Sequence, residues 1–412
     1  MMRIGASLSH VGQYNENAVI HALRGLGPTS QTEIAGATGL SVQAVSSIVR
    51  NLITRGYLRE VRTESVGRGR PRVILDLVAS AGFALGIHVD PSVMTSVILD
   101  LRGSVVASAM SRDVDPDDPA QSIDLVADLT LRLLERSRMD RSRAEGACLA
   151  VPGSIDHPTQ SIRESLWLPG WTGSAPGEAL GKRLGMRVPV VKDTLAAVIG
   201  ENWVRAGASL DSTMVFVYIG TGTGLGLSLN GEPVLGFSGN AGEVGRVLVA
   251  VGTQGGAGLD NDVVVLVERA HQQDILPGPV PDRRDLCSME ADFHVLCALA
   301  LDGDPGARDL LLSAAERIAA MTVIATEMVD ADTVVVGGPF WQPVRSLYEP
   351  VLRDALDQPS ARGPQVVQLL STAMGENVGA IGAASVVLDA RYVPRAPGTY
   401  RPLDGGFAVH DL

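Results

Sequence analysis

Cysteine is scarce in this 412-residue chain: Cys148, Cys287 and Cys297 lie far apart, and none belongs to a CxxC pair. That excludes a disulfide framework and disfavours a Cys-rich zinc site, so all three read as buried small apolar residues. Long hydrophobic runs are missing as well. No apolar stretch reaches the ~18 residues of a membrane span. The opening "MMRIGASLSHVGQYNENAV" has no continuous apolar core followed by a small-residue cleavage site, so no secretory signal is expected. What is present is a globular composition, 45% hydrophobic and 19% charged. The length allows two or three domains, each with its own core. The expected location is the cytoplasm.

Charge is unevenly shared. Residues 1–78 hold nine Arg against five Asp or Glu, whereas the whole chain carries a net charge of −12. A basic head on an acidic body points to a polyanion that meets the head alone.

Three helical patterns fit within residues 15–56. The first, "NENAVIHALRGLG", places Val19, Ile20, Leu23 and Leu26 on one stripe before Pro28-Thr29 breaks it. The second opens with Ser30 and Glu33 at capping-box spacing and closes on Gly39. The third, "SVQAVSSIVRNLITRGYL", takes Ser41 as its N-cap and buries Val45, Ile48, Val49 and Leu52 at i, i+3, i+4, i+7 spacing. Its outward positions are then Gln43, Ala44, Ser46, Ser47 and Arg50. Gln and Arg can bond base edges bidentately, and Ser and Ala permit close approach to the major groove. Two strand patterns, "YLREV" and "RVILDLV", flank a loop carrying Arg62, Arg68, Arg70 and Arg72. Residues 1–78 therefore read as a winged helix-turn-helix, with Gln43, Ser46, Ser47, Arg50, Arg68 and Arg70 as its DNA contacts. A three-helix packing domain with a solvated Arg loop is the structural alternative.

From residue 83 strands and helices alternate, which indicates an α/β body at residues 79–390. "ACLAVPGSID" and "VPVVKD" are buried strands, the latter followed by the helix "TLAAVIGENWVRAG". "TMVFVYIGTGTGLGLSLNG" is a long hairpin with a Gly-rich turn, and "ADTVVVGGPF" is a strand running into Gly-Gly. Residues 391–412 form a Pro/Gly-rich tail, either a mobile arm or an oligomer contact.

The order and spacing of "LSVQAVSSIVRNLITRGYL", "GRGRP", "VPGSID", "LPGW", "VVKDTLAAVIGE", "IGTGTGLGLSLNG", "GNAGEVG", "VVVGG" and "VGAIGAA" resemble the ROK family (repressors, open reading frames and kinases). The nearest likeness is to its sugar-responsive transcriptional repressors. The resemblance implies a two-lobed sugar-kinase-like body of the actin/hexokinase type, assembled as a homodimer or homotetramer. It also implies where this chain departs. The family's kinases open on a strand, an Asp and Gly-Gly-Thr; here "GIHVDPSV" gives His88, Asp90-Pro91 and Ser92 at those places. Proline lacks an amide, and Asp90 sets negative charge opposite phosphate. The second glycine loop, residues 220–226, is kept, and so is "VGG" at 336–338. The family's Asn-Asp pair, whose Asp takes the sugar proton, becomes Lys192-Asp193. Its GExGH motif keeps Glu243 but has Arg246 for His, and Asp260 matches its next sugar-contacting Glu. Trp167 stands where an Asn is common, with Trp171 after the turn. The zinc loop that many members carry is replaced by "VGTQGGAGLDND", which has neither Cys nor His.

The candidate effector site is therefore Trp167, Lys192, Asp193, Glu243, Arg246 and Asp260, with no cofactor and no metal. Lys192, Arg246 and His88 each add positive charge or remove negative charge, which favours an anionic effector such as a sugar phosphate or sugar acid. A neutral sugar, or a pocket filled by Lys192–Glu243 and Arg246–Asp260 ion pairs, stays open. The expected function is a DNA-binding regulator of carbohydrate-related genes, most readily a repressor, and not an enzyme. Its expected partners are a double-stranded, imperfectly palindromic operator and a sugar or sugar-phosphate effector. The alternatives are an active sugar kinase with a DNA-binding head, and a constitutive architectural protein.

Overall fold

A computed structural model describes residues 8–64, 71–205, 212–245, 261–358 and 366–395. The head begins with helices α1 (Leu8–Leu26), α2 (Gln31–Thr38) and α3 (Val42–Thr54). Short β1 (Thr29–Ser30) joins β2 (Leu58–Glu64) and β3 (Arg72–Leu77) in a three-stranded sheet of order β1-β3-β2. The capping box forms: the Ser30 hydroxyl accepts from the Glu33 amide, and the Glu33 carboxylate accepts from the Ser30 amide at 2.8 Å. Gly39, with φ of 69°, ends α2 in the left-handed conformation that glycine adopts without strain. Ser41 then caps α3 by accepting from the Ala44 amide at 3.2 Å. Helix α1 starts about two turns earlier than its apolar stripe indicates. Val11 and Tyr14 in those turns are exposed, so no buried periodicity marks them.

The body has two sheets built on the same plan. The first contains β4 (Phe83–Asp90), β5 (Val93–Asp100), β6 (Val105–Ser111), β7 (Ala144–Val151) and β10 (Val190–Lys192), in the order β10-β7-β4-β5-β6. The second contains β11 (Met214–Ile219), β12 (Thr223–Leu229), β13 (Glu232–Pro233), β14 (Thr333–Gly337) and β15 (Gln368–Ser371), in the order β13-β12-β11-β14-β15. Each is an antiparallel meander followed by two strands that add in parallel on the other side of its first strand. A short hairpin, β8 (Ser154–Asp156) and β9 (Ser161–Glu164), projects after β7.

Alternation along the strands sorts their side chains into separate cores. In β11, Val215, Val217 and Ile219 face α7 (Val263–Gln272), α8 (Leu286–Asp302), α9 (Pro305–Val329) and α10 (Trp341–Leu356). Met214, Phe216 and Tyr218 face the other way, toward α6 (Asp193–Val204) and α11 (Val378–Tyr392). The first sheet does the same: Leu85 and Ile87 pack toward α4 (Pro119–Ser137) and α5 (Pro176–Leu184), whereas Ala84 and Val97 join α6 and α11. The core around α6 and α11 continues into the head through Leu23, Val49, Leu52 and Leu58. The head is therefore seated on the body by shared apolar packing as well as by the chain that links them. No described helix is long and apolar enough to cross a membrane.

Candidate functional site

On the head, the recognition face lies along α3. Gln43, Ser47 and Arg50 are exposed, Ser46 and Ala44 are half-buried, and Val45, Val49 and Leu52 point inward. The Arg50 Nε donates to the Ser46 carbonyl at 3.3 Å, so this guanidinium rests along the helix surface. Val42, at the first position of α3, is 48% exposed, an apolar side chain that the helix periodicity alone did not single out. Arg68 and Arg70 lie outside the described residues.

In the body, a cleft of about 120 Å³ opens between the two sheets. It is lined by Asp90 and Pro91 at the β4–β5 turn, by Pro152 and Gly153 after β7, and by Ser165, Leu166 and Trp167 after β9. Lys192, Asp193 and Thr194, where β10 passes into α6, complete one wall; Tyr218, the loop from Gly220 to Gly224 and Glu243 form the other. Of the expected effector residues, the fold thus brings Trp167, Lys192, Asp193 and Glu243 to one place. Arg246 and Asp260 lie outside the described residues.

One of the two ion pairs that the sequence leaves open is formed. Lys192 is buried and its ammonium pairs with Glu243 Oε1 at 2.6 Å, so its charge is already met by a protein carboxylate. His88 does not line the cleft. Its ring fills the space that a side chain at Gly379 would need, on the first turn of α11, and its Nε2 has no partner among the described residues. Burial holds His88 below the usual imidazole range despite the nearby Asp90, so it is neutral and adds no positive charge. Trp171 is likewise a core residue, 0% exposed, with its indole donating to the Asp115 carbonyl at 3.2 Å. Trp167 is half-buried at the cleft, where its indole donates to Asp262 Oδ2 at 3.3 Å.

The two loops that face each other across the cleft are joined from within the protein. Asp90 Oδ1 accepts from the Ser92 amide and hydroxyl, both at 3.0 Å, and from the Thr221 hydroxyl of the glycine loop at 3.1 Å. The same glycine loop gives its Thr223 amide to Asp262 Oδ1 at 3.3 Å. Two carboxylates therefore occupy donors of the loops. A second tie between the sheets runs through Asn240, whose side chain exchanges bonds of 2.8 and 2.9 Å with the backbone of Ile155.

Three further side chains were not legible as site residues. Ser165 Oγ, Thr194 Oγ1 and Tyr218 OH are buried, belong to cleft-lining residues, and have no hydrogen-bond partner among the described residues. Buried hydroxyls without partners are uncommon and costly. Beside them, burial raises the Asp193 carboxyl to about 7, against the opposing pull of Lys192 and the Thr194 amide, which donates to it at 2.7 Å. Such a group exchanges its proton near neutrality and can donate to or accept from a hydroxyl. Among the described residues, no three His, Cys, Asp or Glu side chains come together as a metal site.

Comparison with known proteins places this architecture. The pattern of the ROK family matches residues 116–390, and that of the MarR family matches residues 15–69. A transcriptional regulator of Mycobacterium tuberculosis is 27% identical over 395 residues, covering 93% of this chain and 87% of its own length. The DNA-binding transcriptional repressor Mlc of Escherichia coli is 23% identical, covering 93% of this chain and 95% of its own. Among solved structures, a ROK family transcriptional regulator homologous to Mlc superposes with a TM-score of 0.71 at 20% identity, covering 93% of this chain and 98% of its own. A ROK family glucokinase from Streptomyces griseus, solved with glucose and AMPPNP, superposes with a TM-score of 0.60 at 20% identity over 74% of this chain and 99% of its own. The body thus has the fold that sugar kinases share, and the head and body together match the regulators.

Proposed function

This chain belongs to the ROK family, and we propose that it is a transcriptional repressor of carbohydrate-related genes whose kinase-like cleft senses a sugar without phosphorylating it. The observation that carries this reading is the Asp90 carboxylate, which joins the first loop to Thr221 of the second. A nucleotide needs free backbone amides in a Gly-Gly turn at that spot. Here Pro91 has no amide, Asp90 supplies charge of the wrong sign, and the Thr223 amide is already donated to Asp262. Phosphoryl transfer therefore lacks its phosphate cradle, while the wall that would hold a sugar is kept.

The guest that fits best is a neutral polyhydroxylated sugar. Ser165, Thr194 and Tyr218 offer three unsatisfied hydroxyls, Asp193 offers a proton-exchanging carboxyl, and Trp167 offers an apolar face. With Lys192 paired to Glu243 and His88 buried away from the cleft, an anionic sugar has less support there. On DNA, Gln43, Ser47 and Arg50 read base edges from the exposed face of α3, and the Val42 methyl groups suit the methyl of thymine. Arg68 and Arg70 of the wing contact phosphate or the minor groove. A symmetric oligomer in the cytoplasm presents two heads to the half-sites of an imperfect palindrome.

The deciding experiment pairs two assays on the full chain. ATP consumption is measured with a panel of neutral and phosphorylated hexoses and pentoses. Mobility shift is measured on the DNA upstream of the chain's own gene, with and without each sugar. The proposal expects no sugar-dependent ATP turnover and a shift that one neutral sugar reverses. Turnover with any sugar, or a shift that no sugar alters, refutes it.

A further inference from the structure

Helix α6 reaches from the cleft to the DNA-binding head. Its first residues, Asp193 and Thr194, line the cleft. At 1.5 Å per residue its twelve residues span about 18 Å, and at the far end Trp203 meets α1 of the head. One polar side chain makes the hydrogen bonds of this contact. Arg24 of α1 is 7% exposed; its Nη2 donates to the Trp203 carbonyl at 2.6 Å and its Nε to the Leu101 carbonyl at 2.9 Å. Its guanidinium carbon also lies 3.3 Å from the centroid of the Trp203 ring, a cation–π contact. A buried guanidinium is tolerated where fixed acceptors meet it, and carbonyls at a helix C-terminus are favourable partners for a cation.

The helix between these ends has little room to bend. All its residues from Asp193 to Glu201 are buried. It crosses α11 at near backbone contact, where a methyl on Gly200 would lie 2.8 Å from the Gly382 Cα. At the C-terminal end, Glu201 accepts from the Thr372 hydroxyl at 2.7 Å and from the Ala373 amide, beyond β15 of the second sheet. Because α6 packs against β12 of the second sheet and against α11, which rests on the first, it touches both lobes.

We propose that Arg24 is a positioning residue: by gripping Trp203, it makes α6 a rigid link through which events at the cleft reset the seat of α1 and hence of the recognition helix. The proposal rests on the sensing role assigned above. It also separates this route from a second anchor of the head, in which Asn17 of α1 donates to the Arg391 carbonyl of α11 at 2.9 Å without touching Trp203.

Hydrogen exchange on the full-length protein tests the link without any sugar. Lys192→Met perturbs the cleft end of α6 and is introduced alone and together with Arg24→Lys or Asn17→Ala. In the otherwise native chain it should change exchange in both α6 and α1, in α1 by at least fivefold, the low end of ordinary site–site coupling. With Arg24→Lys, α6 should still respond while α1 no longer does. With Asn17→Ala, which loosens α1 elsewhere, the α1 response should persist. An α1 response that survives Arg24→Lys, or one absent from the native chain, overturns the proposal. Arg24→Lys should leave circular dichroism and the salt dependence of non-specific DNA binding unchanged, since Arg24 is buried away from α3. If that variant unfolds, Trp203→Leu keeps the carbonyl and removes the ring, and should weaken the α1 response; an undiminished response counts against the proposal. Failure of every sugar to bind would refute the sensing role while leaving this exchange result to decide the link.

Discussion

Asp193→Asn tests the electrostatics of the cleft without a ligand. The carboxyl is 7% exposed, with its folded value raised to about 7 chiefly by burial. An unfolded Asp titrates near about 3.9. Between these values the folded protein keeps a proton that the unfolded chain has lost. The contribution of this group to stability is therefore intact below about pH 4, declines as pH rises toward the folded value, and levels off above it. From pH 6 to pH 8 the unfolded form gains about two tenfold steps of ionisation and the folded form about one, so native stability falls by roughly 1 kcal/mol on this account. Both pH values lie above the isoelectric point near 5.1, so the comparison avoids precipitation at neutrality of charge. Asn keeps an oxygen for the Thr194 amide and cannot titrate. Urea unfolding of both proteins at pH 6 and 8 should show the native chain losing roughly 1 kcal/mol more than the variant. Equal losses would refute the claim that burial holds this carboxyl protonated.

Other predictions concern the head and the loops. Replacing Gln43 or Arg50 by Ala should relax base preference at about 1–3 kcal/mol for each bidentate contact, read by mobility shift on single-base operator variants. In an operator selected from random duplexes, exchanging thymine for deoxyuridine should weaken binding at one position per half-site, and Val42→Ala should erase that difference; no methyl-sensitive position would rule Val42 out as a reader. Arg68→Ala with Arg70→Ala should weaken all sequences alike and make the salt slope shallower by about two. Asp90→Ala removes the bond to Thr221, so hydrogen exchange in the glycine loop at residues 220–224 should rise while sugar-dependent ATP turnover stays absent.

The head was legible because its signals are local. Ser30 with Glu33, Gly39 and Ser41 each specify a helix end within one turn, and the fold uses them in that way. The cleft was legible as far as its backbone motifs reach, which is why Trp167, Lys192, Asp193 and Glu243 meet there. What could not be read was which way neighbouring side chains turn. His88 sits at a position matched to the first-strand Asp of the kinases, yet its ring packs on α11; Asp90, two residues on and on the same face of β4, reaches Thr221 from the strand's last position. Ser165, Thr194 and Tyr218 were invisible for another reason. A hydroxyl's lack of a partner is a property of everything packed around it, and no residue pattern in one dimension carries it.

The replacement of Gly-Gly by Asp90-Pro91 has two effects of one origin. A glycine turn leaves room and bare amides, and bound phosphate then bridges the two loops. An aspartate at that turn carries its own acceptor oxygens to the same gap, where Asp90 Oδ1 is bonded to Ser92 on its own side and to Thr221 on the other. The bridge that a kinase borrows from its nucleotide is thus built into this chain. On the proposed sensing role, lobe closure needs no second substrate and the sugar alone sets it. With α6 packed between the lobes and Arg24 fixed to its end, such a one-ligand clamp would move a DNA-binding head without ATP.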